Sequence, residues 1–146
     1  MATVDTQKSI LTYLFNLLTA DDDLEAAMGG VVRLYPVWAV PDAEFPYLVH
    51  RLDFKSAGET YAVRKGTYYL DIWSDSPNAN EALAIRKRII ELLDELVFNT
   101  VEALRVHLET QTDGFIPETE PGIWHYATQW NAIFVRKAEA EAIDGR

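Results

Sequence analysis

The sequence predicts an α+β fold, a mostly antiparallel sheet of about five strands with two main helices packed on one face. Three observations lead there. Apolar residues recur at helical spacing in two segments, they alternate with polar residues in several others, and the elements follow one another as α, short α, β, β, β, α, β, β.

Ile10, Leu11, Leu14, Leu17 and Leu18 form one helical stripe behind a cap at Asp5 or Thr6, so the first helix should end near Thr19. In "ADDDLEAAMGG", acids at the start and Gly29-Gly30 at the end complement the helix dipole and supply a glycine stop, giving one or two turns. "VVRLYP" reads as a strand stopped by Pro36, and "VWAVPDAE" as a loop with two apolar anchors. In "FPYLVHRLDF", Tyr47, Val49 and Arg51 alternate with Leu48, His50 and Leu52.

"KSAGETYAV" (Lys55 to Val63) reads as an exposed, mobile connection. Arg64 to Ser74 then carries Tyr68, Leu70 and Ile72 on one face and Thr67, Tyr69, Asp71 and Trp73 on the other, the bulk on both sides pointing to a central strand. The helix after Pro77 buries Ala82, Ile85, Ile89, Leu92, Leu93 and Leu96, and roughly twenty positions would span about 30 Å. "VEALRVHLETQT" and "IWHYATQWNAIFVRK" are two further strands, expected to be antiparallel neighbours, joined by the acidic loop "DGFIPETEPG". Residues 1–137 form one domain, and 138–146 a charged tail predicted to be frayed or ordered by a partner.

Composition narrows the function. With 13 basic and 23 acidic residues the formal charge is −10, which disfavours duplex binding through phosphate contacts. Zero cysteines exclude disulfides, thiolate zinc sites and cysteine nucleophiles and fit a reducing compartment. The N-terminal segment reads as neither signal peptide nor membrane span.

The strand-to-helix corner "SDSPNAN" lacks the glycines of a phosphate loop and brings in Asp75, so it reads as a helix start, capped by Ser76 with Pro77 following or by Asn78 with Glu81. His50, His107 and His125 lie on different strands without ligand spacing, and no G-x-S-x-G elbow is present, so no catalytic or metal residues are assigned. Asp21 to Asp23 complement a helix dipole rather than form a calcium loop. Arg86, Lys87 and Arg88 belong to a solvated face with nearby acids. Aromatic residues make up 12% of the chain, more than one helix-covered face accommodates, so Tyr69, Trp73 and Trp130 are the first candidates for a subunit interface.

Taken in order, the N-terminal helix, "ADDDLEAAMGG" leading into "VVRLYP", the "FPYLVHRLDF" strand, "GTYYLDIWSDSPNANEALAIRKRIIELLDE" and the closing strands "ALRVHLETQT" and "WHYATQWNAIFVRK" resemble the tail-completion or tail-terminator proteins of long-tailed phages and prophages, over roughly residues 5–137. The resemblance implies a ring of about six subunits on the end of the tail tube, stopping its growth and docking to the head connector. It also implies no enzymatic activity, no cofactor and no metal. Partners would be other copies of the chain, the tail-tube protein and the head–tail connector protein, with DNA only passing through the lumen and no membrane. The location would be the head-proximal end of the virion tail, after assembly in the host cytoplasm.

On this basis Lys55, Glu59, Tyr61, Arg64 and Lys65, with Tyr69, Trp73 and Trp130, are candidates for oligomer and tube contacts, and Phe115, Glu118 and Glu120 for a lumen or partner loop. Alternatives are a neck or head–tail connector adaptor and, in another class, a small ligand-binding or hydrolytic domain with a cleft between sheet and helix.

Overall fold

The computed structural model describes residues 6–54 and 63–136. Its elements are α1 (Thr6–Thr19), α2 (Asp22–Ala27), β1 (Leu34–Pro36), β2 (Tyr47–Phe54), β3 (Val63–Ser74), α3 (Asn80–Leu93), β4 (Val97–Phe98), β5 (Ala103–Ile116) and β6 (Trp124–Arg136). The α+β class holds. The sheet, however, has six strands among the described residues, in the order β1-β2-β3-β6-β5-β4, and it is mixed. β1 runs parallel to β2, because the intervening loop carries the chain back to the start of a strand only three residues long. The other pairings are antiparallel.

β3 lies in the middle of the sheet, as its bulk on both faces indicates, and β5 and β6 are antiparallel neighbours. The core fills one side. Ile10, Leu14 and Leu18 of α1 and Ala82, Ile85, Ile89 and Leu93 of α3 meet Leu48, Leu52, Tyr68, Leu70, Ile72, Trp130 and Phe134 of the sheet. Burying a large apolar side chain contributes about 1.5–3 kcal/mol, so this layer is the main source of stability.

α2 starts where its acids indicate: the Asp21 carboxylate accepts from Leu24 N at 2.8 Å. Arg88 donates to both oxygens of Asp21 at 2.8 and 2.7 Å, tying α3 to that cap, and Arg86 pairs with Asp113 at 3.2 Å. Part of the basic cluster thus joins separate elements instead of facing solvent alone. α3 is shorter than its apolar stripe predicts, 14 residues or about 21 Å. Asp94 is extended and Glu95 adopts φ 61°, which turns the chain into β4, a strand the sequence reading did not contain. Asn78 Oδ1 accepts from Asn80 N at 2.9 Å at the start of α3, but the box with Glu81 does not form and Ser76 does not cap the helix. Its N-cap position is Ala79, and Glu81 reaches back to the Ser74 hydroxyl at 2.7 Å.

β5 runs on to Ile116, taking in Phe115, which the sequence reading assigned to a loop. Register shifts between Leu104 and His107 and between Thr110 and Thr112 change which residues face the core. Ala103, Val106 and Leu108 are buried, while Leu104 is only partly so. The expectation for 138–146, and for Lys55, Glu59 and Tyr61, falls outside the described residues.

Candidate functional site

Among the described residues no helix packs on the side of the sheet away from α1 and α3, and only loop residues lie against it. Strand alternation and antiparallel register place Tyr47, Val49 and Arg51 of β2 beside Trp73, Asp71 and Tyr69 of β3, and these beside His125, Ala127 and Gln129 of β6. None of the first six is fully buried. Tyr47 stacks on Trp73 with centroids 6.2 Å apart, and Trp73 stacks on His125 at 3.9 Å and 13°. Tyr35 and Phe45 extend this aromatic row at 6.0 and 5.1 Å from Tyr47. Farther along, the Arg51 guanidinium lies 3.7 Å from the Tyr69 ring centroid and pairs with Asp53.

His125 is the electrostatic centre of this face. One ring nitrogen is 2.8 Å from Asp71 Oδ2 and the other 2.6 Å from Glu118 Oε1. Burial alone would lower its pKa, but the hydrogen bonds and charges of the two carboxylates outweigh that and raise it above the ordinary value. The protonated ring then donates to both acids, and Glu118 holds the loop after β5 against the sheet. Burial, with the Glu118 charge adding to it, also raises the pKa of Tyr47.

The predicted site residues separate in three dimensions. Tyr69 and Trp73 lie on the uncovered face with Lys65, which pairs in register with Ile133. Arg64 is next in sequence and so projects to the opposite side of β3, opposite Phe134. Trp130 does not belong with the interface candidates. It pairs in register with Tyr68, is 0% exposed under the helices and donates to the Thr128 hydroxyl at 2.9 Å. Of the loop candidates, Phe115 packs edge-on against Tyr126 at 4.8 Å, Glu118 is held by His125, and Glu120 is exposed.

The histidines do not converge. His50 bonds the Tyr68 hydroxyl at 2.7 Å on the helix side, and His107 lies 2.9 Å from Glu95. Glu95, His107 and Glu109 bring potential ligand atoms within 4.8 Å of one another, but the two acids are exposed and His107 and Glu95 are already hydrogen-bonded to each other. Sequence reasoning missed the Asp71–His125–Glu118 group. Its only advance signal was that Asp71 and Trp73 share a strand face, because Asp71 lies 54 residues before His125 and Glu118 precedes His125 by seven across a loop.

The loop between β1 and β2 also differs from expectation. Trp38 is 80% exposed, with Val37 and Val40 each 52%, so its apolar residues point outward and do not anchor it. Across the sheet, a cleft of about 460 Å³ lies between α1 and the turn before β5, lined by residues including Thr12, Tyr13, Asn16 and Val101. Among the described residues no helix is long and apolar enough to cross a membrane.

No protein-family model and no curated protein sequence matches this chain. Its fold is similar to that of a chain in a structure described as the virion of a native gene transfer agent (GTA) particle, with TM-score 0.76. The match covers 92% of this chain and 99% of that one at 14% identity, a likeness of fold along nearly the whole length of both.

Proposed function

We propose that this chain is a structural component of a phage-like particle, a tail-terminator type of protein that forms a ring of about six copies on the end of the tail tube. Seated there, it occupies the surface where the next layer of tube subunits would add, and its outer side becomes the docking surface for the head connector. The observation that carries the reading is the end-to-end fold similarity to a virion chain.

Two features support it. The uncovered sheet face presents Tyr69, Trp73 and Arg51, residue types enriched at interfaces, in a row that no helix among the described residues covers. We assign the oligomer and tube contacts to this face and to Lys65, together with Arg64, Lys55, Glu59 and Tyr61 at the neighbouring connection. The net charge of −10 suits a conduit through which DNA passes without adhering, and we assign the exposed Glu120 to its lumen. No catalytic role is assigned to His50, His107 and His125, which lie apart on different strands with separate partners.

A connector adaptor in the neck is the second reading, because similarity to a virion chain concerns the particle and not a position along it. The two differ in which partner binds first. Light scattering after size exclusion over a concentration series, with negative-stain images and with tube protein added, tests the proposal. Rings with a central hole that bind tube ends and stop elongation are expected. A monomer at every concentration, even with tube protein, overturns it, and preferential binding to portal-side proteins selects the adaptor.

A further inference from the structure

His125 joins two carboxylates that reach it from different elements. Its Nε2 is 2.8 Å from Asp71 Oδ2 on the neighbouring strand β3, and its Nδ1 is 2.6 Å from Glu118 Oε1 in the loop 117–123 between β5 and β6. An ionised carboxylate only accepts hydrogen bonds, and a neutral imidazole carries one N–H and one bare lone pair. Both contacts are therefore hydrogen bonds only while both ring nitrogens carry protons. With one proton fewer, a lone pair faces a carboxylate oxygen at the same short distance. Stacking of the ring on Trp73 at 3.9 Å favours the charged form as well.

The two acids differ in how free they are to leave. Asp71 lies inside β3, which is paired in register with β2 on one side and β6 on the other. Pro117 to Gly122 are all exposed, and among the described residues the Glu118–His125 bond is the side-chain hydrogen bond that ties this loop to the sheet. The other elements around the ring add no competing charge. From β2, Tyr47 stacks on Trp73 and feels the charge of Glu118, while Arg51, two positions beyond the Val49 that faces Asp71, is paired with Asp53. From β5, the register partner of His125 is Ile116. The group of two acids and one imidazolium carries one net negative charge, so loss of the ring proton also leaves Asp71 and Glu118 repelling each other.

We propose that His125 is a proton-operated latch: the imidazolium holds the loop 117–123 against the uncovered sheet face, and the neutral ring keeps Asp71 and releases Glu118. Burial opposes the charge on the ring, but the two carboxylates outweigh it and raise its pKa above 6.5. The loop is thus held at mildly acidic pH and let go as pH rises through the folded value, which opens the His125 end of the Tyr47–Trp73–His125 row. The latch belongs to the single chain and does not rest on the ring reading.

The chain has no native cysteine, so a nitroxide on Thr119→Cys, an exposed position, reports this loop alone. Its EPR line shape is followed from about pH 5.5 to about pH 9, beside NMR of the non-exchanging His125 ring protons, assigned with His125→Gln. A change from slow to fast label motion is expected as the pH rises, with the same midpoint as the ring titration and unchanged far-UV circular dichroism. Glu118→Ala should leave the label fast at every pH. Asp71→Asn should do the opposite, because the amide donates to the ring lone pair and leaves the remaining N–H for Glu118, so that the loop stays held after deprotonation. Label motion that ignores the ring titration, a transition that survives Glu118→Ala, or release that persists in Asp71→Asn would each overturn the latch. Loss of circular dichroism at the label's midpoint would overturn it too, since the whole fold and not the loop would then be opening.

Discussion

Replacing His50 by Gln is expected to remove most of the loss of stability that the protein suffers on mild acidification. His50 is 3% exposed on β2, with Nδ1 2.7 Å from the hydroxyl of Tyr68, which is itself 0% exposed. Burial pushes the imidazole pKa from 6.5 down to about 4. Below pH 6.5 the unfolded chain takes up a proton that the folded chain refuses until about pH 4. The stabilisation is therefore complete above 6.5 and declines as the pH falls through that window. At ~1.4 kcal/mol for each tenfold change in proton affinity, the decline amounts to about 3 kcal/mol, a large share of the ~5–15 kcal/mol typical of a domain. Gln keeps a hydrogen-bonding partner for Tyr68 but binds no proton.

Urea unfolding at intervals between about pH 7 and pH 4 gives the stability of both proteins, and the difference between them isolates His50 from carboxylates common to both. Wild type minus variant should fall by about 3 kcal/mol across the range. Any pH-independent repacking offset shifts one curve without changing that slope. Asp21 does not confuse the result, because its pKa, lowered chiefly by the hydrogen bond from Arg88, makes its contribution decline only below the usual 3.8. Parallel curves would refute the reasoning. On the alkaline side both proteins should weaken together: the raised pKa of His125 makes its stabilisation complete below 6.5 and lost as pH rises through the folded value.

Asp21→Ala removes the α2 cap and both hydrogen bonds from Arg88; the cap alone is expected to contribute about 1 kcal/mol, read as a lower urea midpoint at neutral pH. Gly66→Ala places a methyl group 2.7 Å from the Asp53 carbonyl oxygen and 3.1 Å from Phe54 Cδ1. Backbone cannot rotate away as a side chain can, so β2 must shift from β3, and thermal unfolding by circular dichroism should report a loss of about 1–3 kcal/mol. An unchanged melting temperature would show that the β2–β3 end is loose.

Elements whose cause lies in neighbouring residues were legible in advance. The α1 stripe ends at Thr19 as its spacing indicates, the acids and glycines around "DDLEAA" mark α2, and the alternation in β2 and β3 places Leu48, Leu52, Tyr68, Leu70 and Ile72 in the core. Glycine, capping acids and a period of two or 3.6 act within a few residues, so they can be read from the chain itself.

What depends on pairing between distant segments could not be read this way. Trp130 looks as suited to an interface as Trp73 until the β3–β6 register sets it opposite Tyr68 and under the helices. The shifts in β5 break simple alternation, and the parallel placement of β1 makes it the edge from which Trp38 projects. The Asp71–His125–Glu118 group joins a strand, a loop and another strand. The sequence alone determined the local elements and most of the apolar set that fills the core. Only the tertiary structure decided which face stays uncovered and which charges meet there, because a one-residue change of register sends every side chain of a strand to the other side of the sheet.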